Sequence, residues 1–340
     1  MAAPRVLVVD DSAFARTVLS RVLRAAGIDV IGTARDGDDA LAQIAEHDPD
    51  VVTLDLTMPG RDGLDVLRAL EGKPRPRMIV VSVSTIDSVP GAEALSLGAI
   101  DIVSKPSALA TDRLYELGNE LVQKVLAAAP AEAVPTSDAI EAPLPVGVVR
   151  HADLVLIGTS TGGPQALTRL LAALPADLAA PVAVVLHIPV GYTEALARRL
   201  DQSSPLEVVE ASQGIELRPG RVVLARAGQH LKLARRNGTI VGHLDAMPVR
   251  PHTPAVDELF LSGAEVAGPG TLGVVLTGMG DDGLLGARAI HAAGGSLLTE
   301  SPGSCVVYGM PRCVYEANLG ARSAPLETIH REIIRHVSAR

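Results

Sequence analysis

Aromatic side chains are scarce in this sequence. Its 340 residues include no tryptophan, two phenylalanines and four tyrosines. A surface that binds nucleic acid needs rings that stack on bases and basic clusters that contact phosphates, and a net charge of −9 without a basic run argues against such a surface. The 47% of hydrophobic residues are therefore mostly aliphatic, which favours parallel sheets covered by helices.

Cysteines and long apolar runs are scarce as well. Cys305 and Cys313 are too few for a disulfide scaffold or a zinc cage, so a reducing cytoplasm is expected. The first apolar run has about five residues, shorter than the roughly 7–15 of a signal-peptide core, and no stretch approaches the roughly 18 of a membrane-spanning helix. We therefore expect a cytoplasmic protein that does not insert into a membrane.

A segment rich in proline and alanine, residues 125–150, lacks hydrophobic periodicity and predicts a linker between two domains. In residues 1–124, short apolar runs alternate with amphipathic stretches, which predicts a doubly wound α/β domain with five parallel strands. Residues 151–340 predict a second doubly wound α/β domain. There, alternating residues from Arg221 to His243, with turns at Ala227-Gly228 and Asn237-Gly238, predict an antiparallel β-hairpin insertion.

Acidic residues and a lysine follow predicted strands of the first domain. Asp10 and Asp11 come after the first strand, Asp55 ends the third, and Lys105 follows the fifth. The carboxyl ends of parallel strands share one edge of a sheet, so these side chains are expected to meet. Clustered carboxylates bind a hard cation such as Mg²⁺ while one carboxylate attacks phosphorus. Taken singly, the acids also fit a helix N-cap and the lysine a solvated charge.

Three motifs in order, D-D, D-L-T-M-P-G and S-K-P, resemble the response-regulator receiver family. The resemblance covers residues 1–124 and implies a flavodoxin-like fold. It implies Asp55 as the phosphorylated residue, with Asp10, Asp11 and Asp55 as the acids of a Mg²⁺ site.

The same resemblance implies two further receiver residues. Lys105 would contact the phosphoryl group, and Ser82 would be the hydroxyl switch. The run V-S-V-S-T also offers Ser84 and Thr85, so the choice of hydroxyl stays open.

A serine occupies a tight turn at the start of the second domain. The strand L-V-L-I leads into Gly158-Thr159-Ser160-Thr161-Gly162, and a helical run begins near Pro164. The pattern G-x-S-x-G holds a serine hydroxyl clear of the backbone and leaves amides at a helix N-terminus to stabilise an oxyanion. A phosphate cradle and a simple helix cap are the alternatives, but no G-x-G-x-x-G or Walker motif is present.

A nucleophilic serine needs a base and a carboxylate that orients the base. His187 ends the strand V-A-V-V-L-H, so it should project at the same sheet edge as Ser160. The strand G-V-V-L-T-G leads to Asp281 and Asp282, either of which could orient the histidine. Other histidines lie in hairpin, loop or helix contexts typical of surface or capping residues: His230, His243, His252 and His291.

Five motifs of the second domain resemble the catalytic domain of the chemotaxis protein-glutamate methylesterases, the CheB type. They are G-T-S-T-G-G, L-H-I-P-V-G-Y-T, P-A-V-D-E-L-F, V-L-T-G-M-G-D-D-G and C-V-V-Y-G-M-P-R, and they span most of residues 151–316. The resemblance implies Ser160 as the nucleophile, His187 as the general base and Asp282 as the orienting acid. The sequence departs from the family at Asp281, where asparagine is commoner.

The family likeness also implies an oxyanion hole formed near the backbone amides of Thr161 and Met279. The expected reaction is demethylation of glutamate methyl esters on methyl-accepting chemotaxis receptors, with release of methanol, together with deamidation of receptor glutamines. No cofactor is expected for ester hydrolysis.

The expected phosphodonor is a chemotaxis histidine kinase, and the order of the domains suggests a receiver that covers the active site until Asp55 is phosphorylated. The alternative is a receiver-regulated signalling module whose hydrolase domain is degenerate or acts on a target other than a chemoreceptor.

Overall fold

Two parallel sheets organise the chain, one in each of two units that span Met1–Pro145 and Val146–Arg340. The computed structural model describes residues 3–72, 76–82, 88–105, 111–129 and 150–339. Most of the predicted linker, residues 130–149, lies outside the described residues.

Strands and helices alternate in the first unit. They are β1 (Arg5–Val9), α1 (Ala13–Ala25), β2 (Asp29–Ala34), α2 (Gly37–His47), β3 (Val51–Leu54), α3 (Gly63–Ala69), β4 (Arg77–Ser82), α4 (Ser88–Ser96), β5 (Asp101–Ser104) and α5 (Thr111–Ala128). The strands pair in parallel in the order β2-β1-β3-β4-β5. Helices cover both faces of such a sheet, which explains why β3 and most of β1 are buried apolar runs without alternation.

The second unit holds a larger set of elements. They are β6 (Leu154–Thr159), α6 (Gly163–Ala172), β7 (Val182–Leu186), α7 (Thr193–Ser203), β8 (Glu207–Glu210), β9 (Ile215–Leu217), β10 (Arg221–Leu224), β11 (His230–Arg236), β12 (Thr239–Asp245), α8 (Val256–Ala267), β13 (Thr271–Val275), α9 (Leu284–Ala292), β14 (Ser296–Glu300), α10 (Met310–Glu316), β15 (Arg322–Ala324) and α11 (Leu326–Ser338). Seven strands form a parallel sheet in the order β15-β14-β13-β6-β7-β10-β8.

A separate three-stranded antiparallel sheet, ordered β11-β12-β9, contains the predicted hairpin. Asn237 and Gly238 join β11 to β12 with φ of 51° and 85°, the backbone that a two-residue type I′ turn requires. Leu231 and Leu233 of β11 are buried in the core of this unit together with Phe260 of α8. The fold class predicted for both units is thereby confirmed.

One boundary of the predicted insertion is wrong. Arg221–Leu224 forms β10, which pairs in parallel with β7 and β8 in the large sheet, and the hairpin begins only at His230. A period-two pattern indicates a strand but does not indicate its partner, so the Ala227-Gly228 turn looked like the turn of a hairpin.

Candidate active site

The acidic cluster of the first unit lies where the strand order changes direction. β1 and β3 are neighbours in the sheet, and Val9 pairs with Leu54, so the following residues Asp10 and Asp55 stand side by side. The backbone N–H of Asp55 donates to the carbonyl of Val9 at 3.0 Å. Open α/β sheets bind ligands at the carboxyl ends of strands that flank such a switch point.

Lys105 joins the two carboxylates. Its Nζ lies 2.5 Å from Oδ2 of Asp10 and 2.7 Å from Oδ2 of Asp55. The side chains of Asp10 and Asp55 are 1% and 8% exposed, and that of Lys105 is 11% exposed. The structure thus brings together three residues that the sequence separates by up to 95 positions.

Burial raises the pKa of Asp55, and the nearby charge of Asp10 adds to that rise, while the charge and hydrogen bond of Lys105 oppose it. Burial is thus the main cause of the raised pKa of Asp55. Asp11 is exposed, and each acid of the trio Asp10, Asp11 and Asp55 offers an oxygen within 4.8 Å of the others. Three carboxylate oxygens are the ligands that Mg²⁺ prefers, so the donor set fits the expected ion.

Ser82 ends β4 and is 8% exposed. Its carbonyl accepts the backbone N–H of Lys105 at 2.8 Å, which places the two residues on neighbouring strand ends. Ser84 and Thr85 lie outside the described residues, so the choice of the receiver hydroxyl stays a prediction.

In the second unit, Ser160 follows β6 at the corresponding edge. The chain runs from β6 through β7 and β10 on one side and then returns to β13 on the other, so the switch point lies between β6 and β13. Gly162 has φ of +82° and directly precedes α6, and a side chain at this glycine would also approach Val306 within 2.7 Å. Glycine at this position therefore permits the sharp turn that carries the half-buried Ser160.

His187 lies beside Ser160 because the two strands are in register. Thr159 of β6 pairs with Leu186 of β7, and the N–H of His187 donates to the carbonyl of Thr159 at 3.1 Å. Adjacent strands run about 4.8 Å apart, so consecutive strand ends bring Ser160 and His187 to one place.

Asp282 forms a hydrogen bond with His187, with 2.8 Å between Oδ2 and Nε2. The N-terminus of α8 holds the same carboxylate, because the backbone N–H of Val256 donates to Oδ2 at 2.7 Å and that of Asp257 donates to Oδ1 at 2.9 Å. Burial of Asp282 raises its pKa, but the His187 contact and the two amides outweigh burial and leave this pKa below its usual value. Asp281 is exposed to solvent.

The bond to Asp282 occupies one nitrogen of His187, and the other is Nδ1. Nδ1 is buried and has no hydrogen-bond partner among the described residues. It is therefore the nitrogen available to a serine hydroxyl or to a leaving group. The ring of His252 stacks on the ring of His187, with the centroids 4.1 Å apart and the planes inclined by 16°.

Two of the histidines interpreted as surface or capping residues make contacts that the sequence did not reveal. His230 is fully buried: its Nδ1 accepts the N–H of Ala255 at 3.0 Å, and its Nε2 lies 2.9 Å from the carbonyl of Pro248. The surface interpretation is wrong for His230, because the backbone at Pro248 and Ala255 covers its ring on the face of β11 opposite to Leu231 and Leu233. His252 is exposed as expected, but its contact with His187 is not visible in the sequence.

The oxyanion candidates Thr161 and Met279 lie on two segments that Thr277 connects. The hydroxyl of Thr277 donates to the carbonyl of Thr161 at 2.9 Å, and Met279 follows two residues after Thr277. Thr161 is 1% exposed and Met279 is half-buried.

Asp257 is a residue of this site that the sequence reasoning missed. Its Oδ1 accepts the backbone N–H groups of Gly283 at 3.0 Å and Gly286 at 2.8 Å, at the start of α9. Asp257 of α8 thus caps α9, while Asp282, just before α9, caps α8. Its place in the P-A-V-D-E-L-F motif at a helix start is the one signal that could have found it. The N-terminus of α8 thus holds Asp282, and Asp257 of that helix holds the start of α9, which begins two residues after Asp282.

No helix in the described part of the chain combines the length and apolar character needed to cross a bilayer.

Comparisons with known proteins identify both halves of the chain. The model of the response regulator receiver domain matches residues 6–116, and the model of the CheB methylesterase matches residues 155–333. Two curated relatives are protein-glutamate methylesterase/protein-glutamine glutaminase enzymes. That of Myxococcus xanthus, numbered 5, is 58% identical over 98% of this chain and 98% of its own, and that of Symbiobacterium thermophilum is 42% identical over 98% and 97%.

A solved structure covers the second unit. The crystal structure of the Thermotoga maritima CheB methylesterase catalytic domain shares 39% identity with a TM-score of 0.53, over 54% of this chain and 98% of that chain. The chain therefore belongs to the CheB methylesterase family and carries a response regulator receiver domain ahead of its methylesterase domain.

Proposed function

We propose that this chain, by family a protein-glutamate methylesterase and protein-glutamine glutaminase, hydrolyses its substrates at Ser160. The observation that carries the proposal is the His187–Asp282 pair at 2.8 Å, set on the strand end next to the serine turn. A serine is a weak nucleophile until an oriented base removes its proton, and this pair provides such a base.

The proposed reaction proceeds through an acyl-serine intermediate. Nδ1 of His187 takes the hydroxyl proton of Ser160 as Oγ bonds to the ester carbonyl carbon. Backbone amides at Thr161 and Met279 stabilise the oxyanion, and His187 returns the proton to the methoxide oxygen so that methanol leaves. His187 then removes a proton from water, which attacks the acyl-serine, and returns that proton to Oγ of Ser160 as the glutamate side chain leaves.

The carboxamide of a glutamine enters the same sequence of steps. His187 then protonates the amide nitrogen, ammonia leaves in place of methanol, and the acyl-serine is the same intermediate. One site therefore accounts for both activities in the names of the relatives.

Asp55 is the proposed phosphoryl acceptor of the first unit. Asp10, Asp11 and Asp55 would hold Mg²⁺, which neutralises phosphoryl oxygens when bound. Lys105 gives up one of its two carboxylate contacts to bind the phosphoryl group, and the Ser82 hydroxyl is proposed to donate to that group.

The proposed domains are a receiver at residues 1–124, a linker at 125–150 and a catalytic domain at 151–340, although α5 of the receiver continues to Ala128 and so extends into the predicted linker. The division of the chain into Met1–Pro145 and Val146–Arg340 supports two domains. The proposed partners are methyl-accepting chemotaxis receptors as substrate and a chemotaxis histidine kinase as phosphodonor, in the cytoplasm.

Methanol release from methylated receptor membranes, with and without a small-molecule phosphodonor, tests this function. We expect release that Ser160→Ala abolishes and that the phosphodonor raises in the wild type but not in Asp55→Asn. If the wild type reacts with a fluorophosphonate at Ser160 yet releases no methanol, the chain is a hydrolase with another target. If it does neither, the catalytic domain is degenerate.

A further inference from the structure

Glu300 is a buried acid that the reaction does not use. It ends β14, and its solvent exposure is 0%. No lysine or arginine among the described residues forms an ion pair with it. Burial raises the pKa of Glu300, and Glu327 adds to the rise, while hydrogen bonds from Thr277 and Ser304 oppose it. A buried carboxyl group without a cation lowers the stability of a fold, so its presence requires an explanation.

The hydrogen bonds of Glu300 connect it to the loop after β13. Its Oε2 accepts the backbone N–H of Thr277 at 2.8 Å, and its Oε1 accepts the hydroxyl of Ser304 at 3.0 Å. β13 and β14 are neighbours in the sheet with Val275 opposite Thr299, so the side chain of Glu300 reaches the first residues beyond β13. The acid therefore fixes the point at which that loop leaves the sheet.

Thr277 in turn holds three consecutive residues of the nucleophile turn. Its carbonyl accepts the N–H of Ser160 at 3.0 Å and the hydroxyl of Thr159 at 2.7 Å. Its hydroxyl donates to the carbonyl of Thr161 at 2.9 Å. A displacement of Thr277 would move the nucleophile and, two residues further on, the oxyanion candidate Met279.

We propose that Glu300 is a positioning residue for ester hydrolysis: it anchors Thr277, and Thr277 fixes the turn that carries Ser160. The inference rests on the proposed function, because it assigns Ser160 as the nucleophile. To anchor Thr277, the side chain at position 300 must place an acceptor oxygen within hydrogen-bond distance of the Thr277 N–H. A negative charge is not required.

Two substitutions separate the effect of side-chain length from the effect of charge. Glu300→Gln keeps the length of the side chain and an acceptor oxygen for the Thr277 N–H, while its amide can donate to Ser304. Glu300→Asp keeps the charge but is one methylene shorter, so its oxygens no longer reach Thr277. The matched control is Thr299→Val on the same strand: Thr299 is fully buried, and its hydroxyl has no hydrogen-bond partner among the described residues, so a methyl group can replace it.

The measurements on the full chain are kcat and KM for methanol release from methylated receptor membranes, and the rate at which a fluorophosphonate labels Ser160. We expect Glu300→Gln and Thr299→Val to stay within about threefold of the wild type. We expect Glu300→Asp to lose about 10- to 100-fold in kcat and in labelling rate, with KM within about twofold, since misplacement of a reacting group affects the chemical step.

A Glu300→Asp variant as active as the wild type would overturn the proposal, as would a loss confined to KM. A folded Glu300→Gln variant that loses kcat would overturn it too, because charge would then be the requirement. This second comparison keeps the proposal falsifiable even if Glu300→Asp does not fold. Failure of the proposed function gives a different result, namely a wild type that neither releases methanol nor is labelled at Ser160.

Discussion

The two parallel sheets place their reactive side chains at equivalent edges but hold them differently. In the receiver, Lys105 contacts the buried Asp10 and Asp55, and burial leaves the pKa of Asp55 raised. In the esterase, Asp282 accepts two helix N-terminal amides and contacts His187, and its pKa is lowered. In the first site burial outweighs the contact with Lys105, whereas in the second the hydrogen bonds of the carboxylate outweigh burial and hold it in one orientation.

Removal of the proposed nucleophile, Ser160, should give the largest effect and should leave the receiver site unchanged. Ser160→Ala is expected to lower methanol release by about 10³- to 10⁶-fold, since a triad without its serine retains only binding and oxyanion stabilisation. Phosphorylation of Asp55 by a labelled small-molecule phosphodonor is the control and should be unchanged. Normal methanol release from Ser160→Ala would place the nucleophile elsewhere.

Loss of the orienting carboxylate should come next. Asp282→Asn is expected to reduce kcat by about 10³- to 10⁴-fold, because the amide cannot stabilise a protonated His187 as the carboxylate does. Asp281→Asn is the matched control, since Asp281 is exposed and adjacent, and it should retain wild-type kcat. If Asp281→Asn lost kcat and Asp282→Asn did not, Asp281 would be the triad acid.

Asp257 caps α9, and its removal should lower both the stability and the activity by smaller amounts. Asp257→Ala leaves the N–H groups of Gly283 and Gly286 without their acceptor, so the free energy of unfolding should fall by about 0.5–2 kcal/mol. Because α9 follows Asp282, kcat should fall by about tenfold as the carboxylate shifts. Urea denaturation and methanol release measure the two quantities.

Asp257→Asn keeps an acceptor oxygen and removes a charge that burial and Asp282 disfavour, as the raised pKa of Asp257 indicates. This variant should therefore stay close to the wild type in both measurements. If Asp257→Ala changed neither the free energy of unfolding nor kcat, the caps would contribute nothing to stability or to the position of Asp282.

The smallest effect concerns the stability of the receiver. The pKa of Asp55 in the folded protein is raised above its value of 3.8 in the unfolded chain. At a pH above the folded-state pKa, the ionised carboxylate therefore lowers the free energy of unfolding. This loss of stability disappears as the pH falls below 3.8. Asp55→Asn should therefore raise the urea midpoint of the receiver transition at pH 7, by less at acidic pH. A lower midpoint for Asp55→Asn at pH 7 would show that the contact with Lys105 outweighs burial.

Strand-end residues were accessible from the sequence because apolar runs mark strands and parallel strands share an edge. This reasoning placed Asp10, Asp55 and Lys105 together, and likewise His187 beside Ser160. It could not choose between Asp281 and Asp282, because the direction of a side chain in a turn depends on the helix that receives it.

Contacts between elements distant in the chain were not accessible. Glu300 lies 23 residues from Thr277, and Asp257 lies 26 residues from Gly283. No local sequence pattern predicts either hydrogen bond. The stacking of His252 on His187 and the parallel partners of Arg221–Leu224 are of the same kind. Each depends on how completed strands and helices pack.

The exchange of caps between α8 and α9 has a consequence for how this enzyme can vary. Asp282 accepts amides at the start of α8, and Asp257 accepts amides at the start of α9. A change that slides one helix by a single residue would therefore also detach Asp282, the proposed triad acid. Insertions or deletions between Val256 and Gly286 should therefore be rare among active relatives. Selection for a stable protein and selection for a working esterase act there on the same hydrogen bonds.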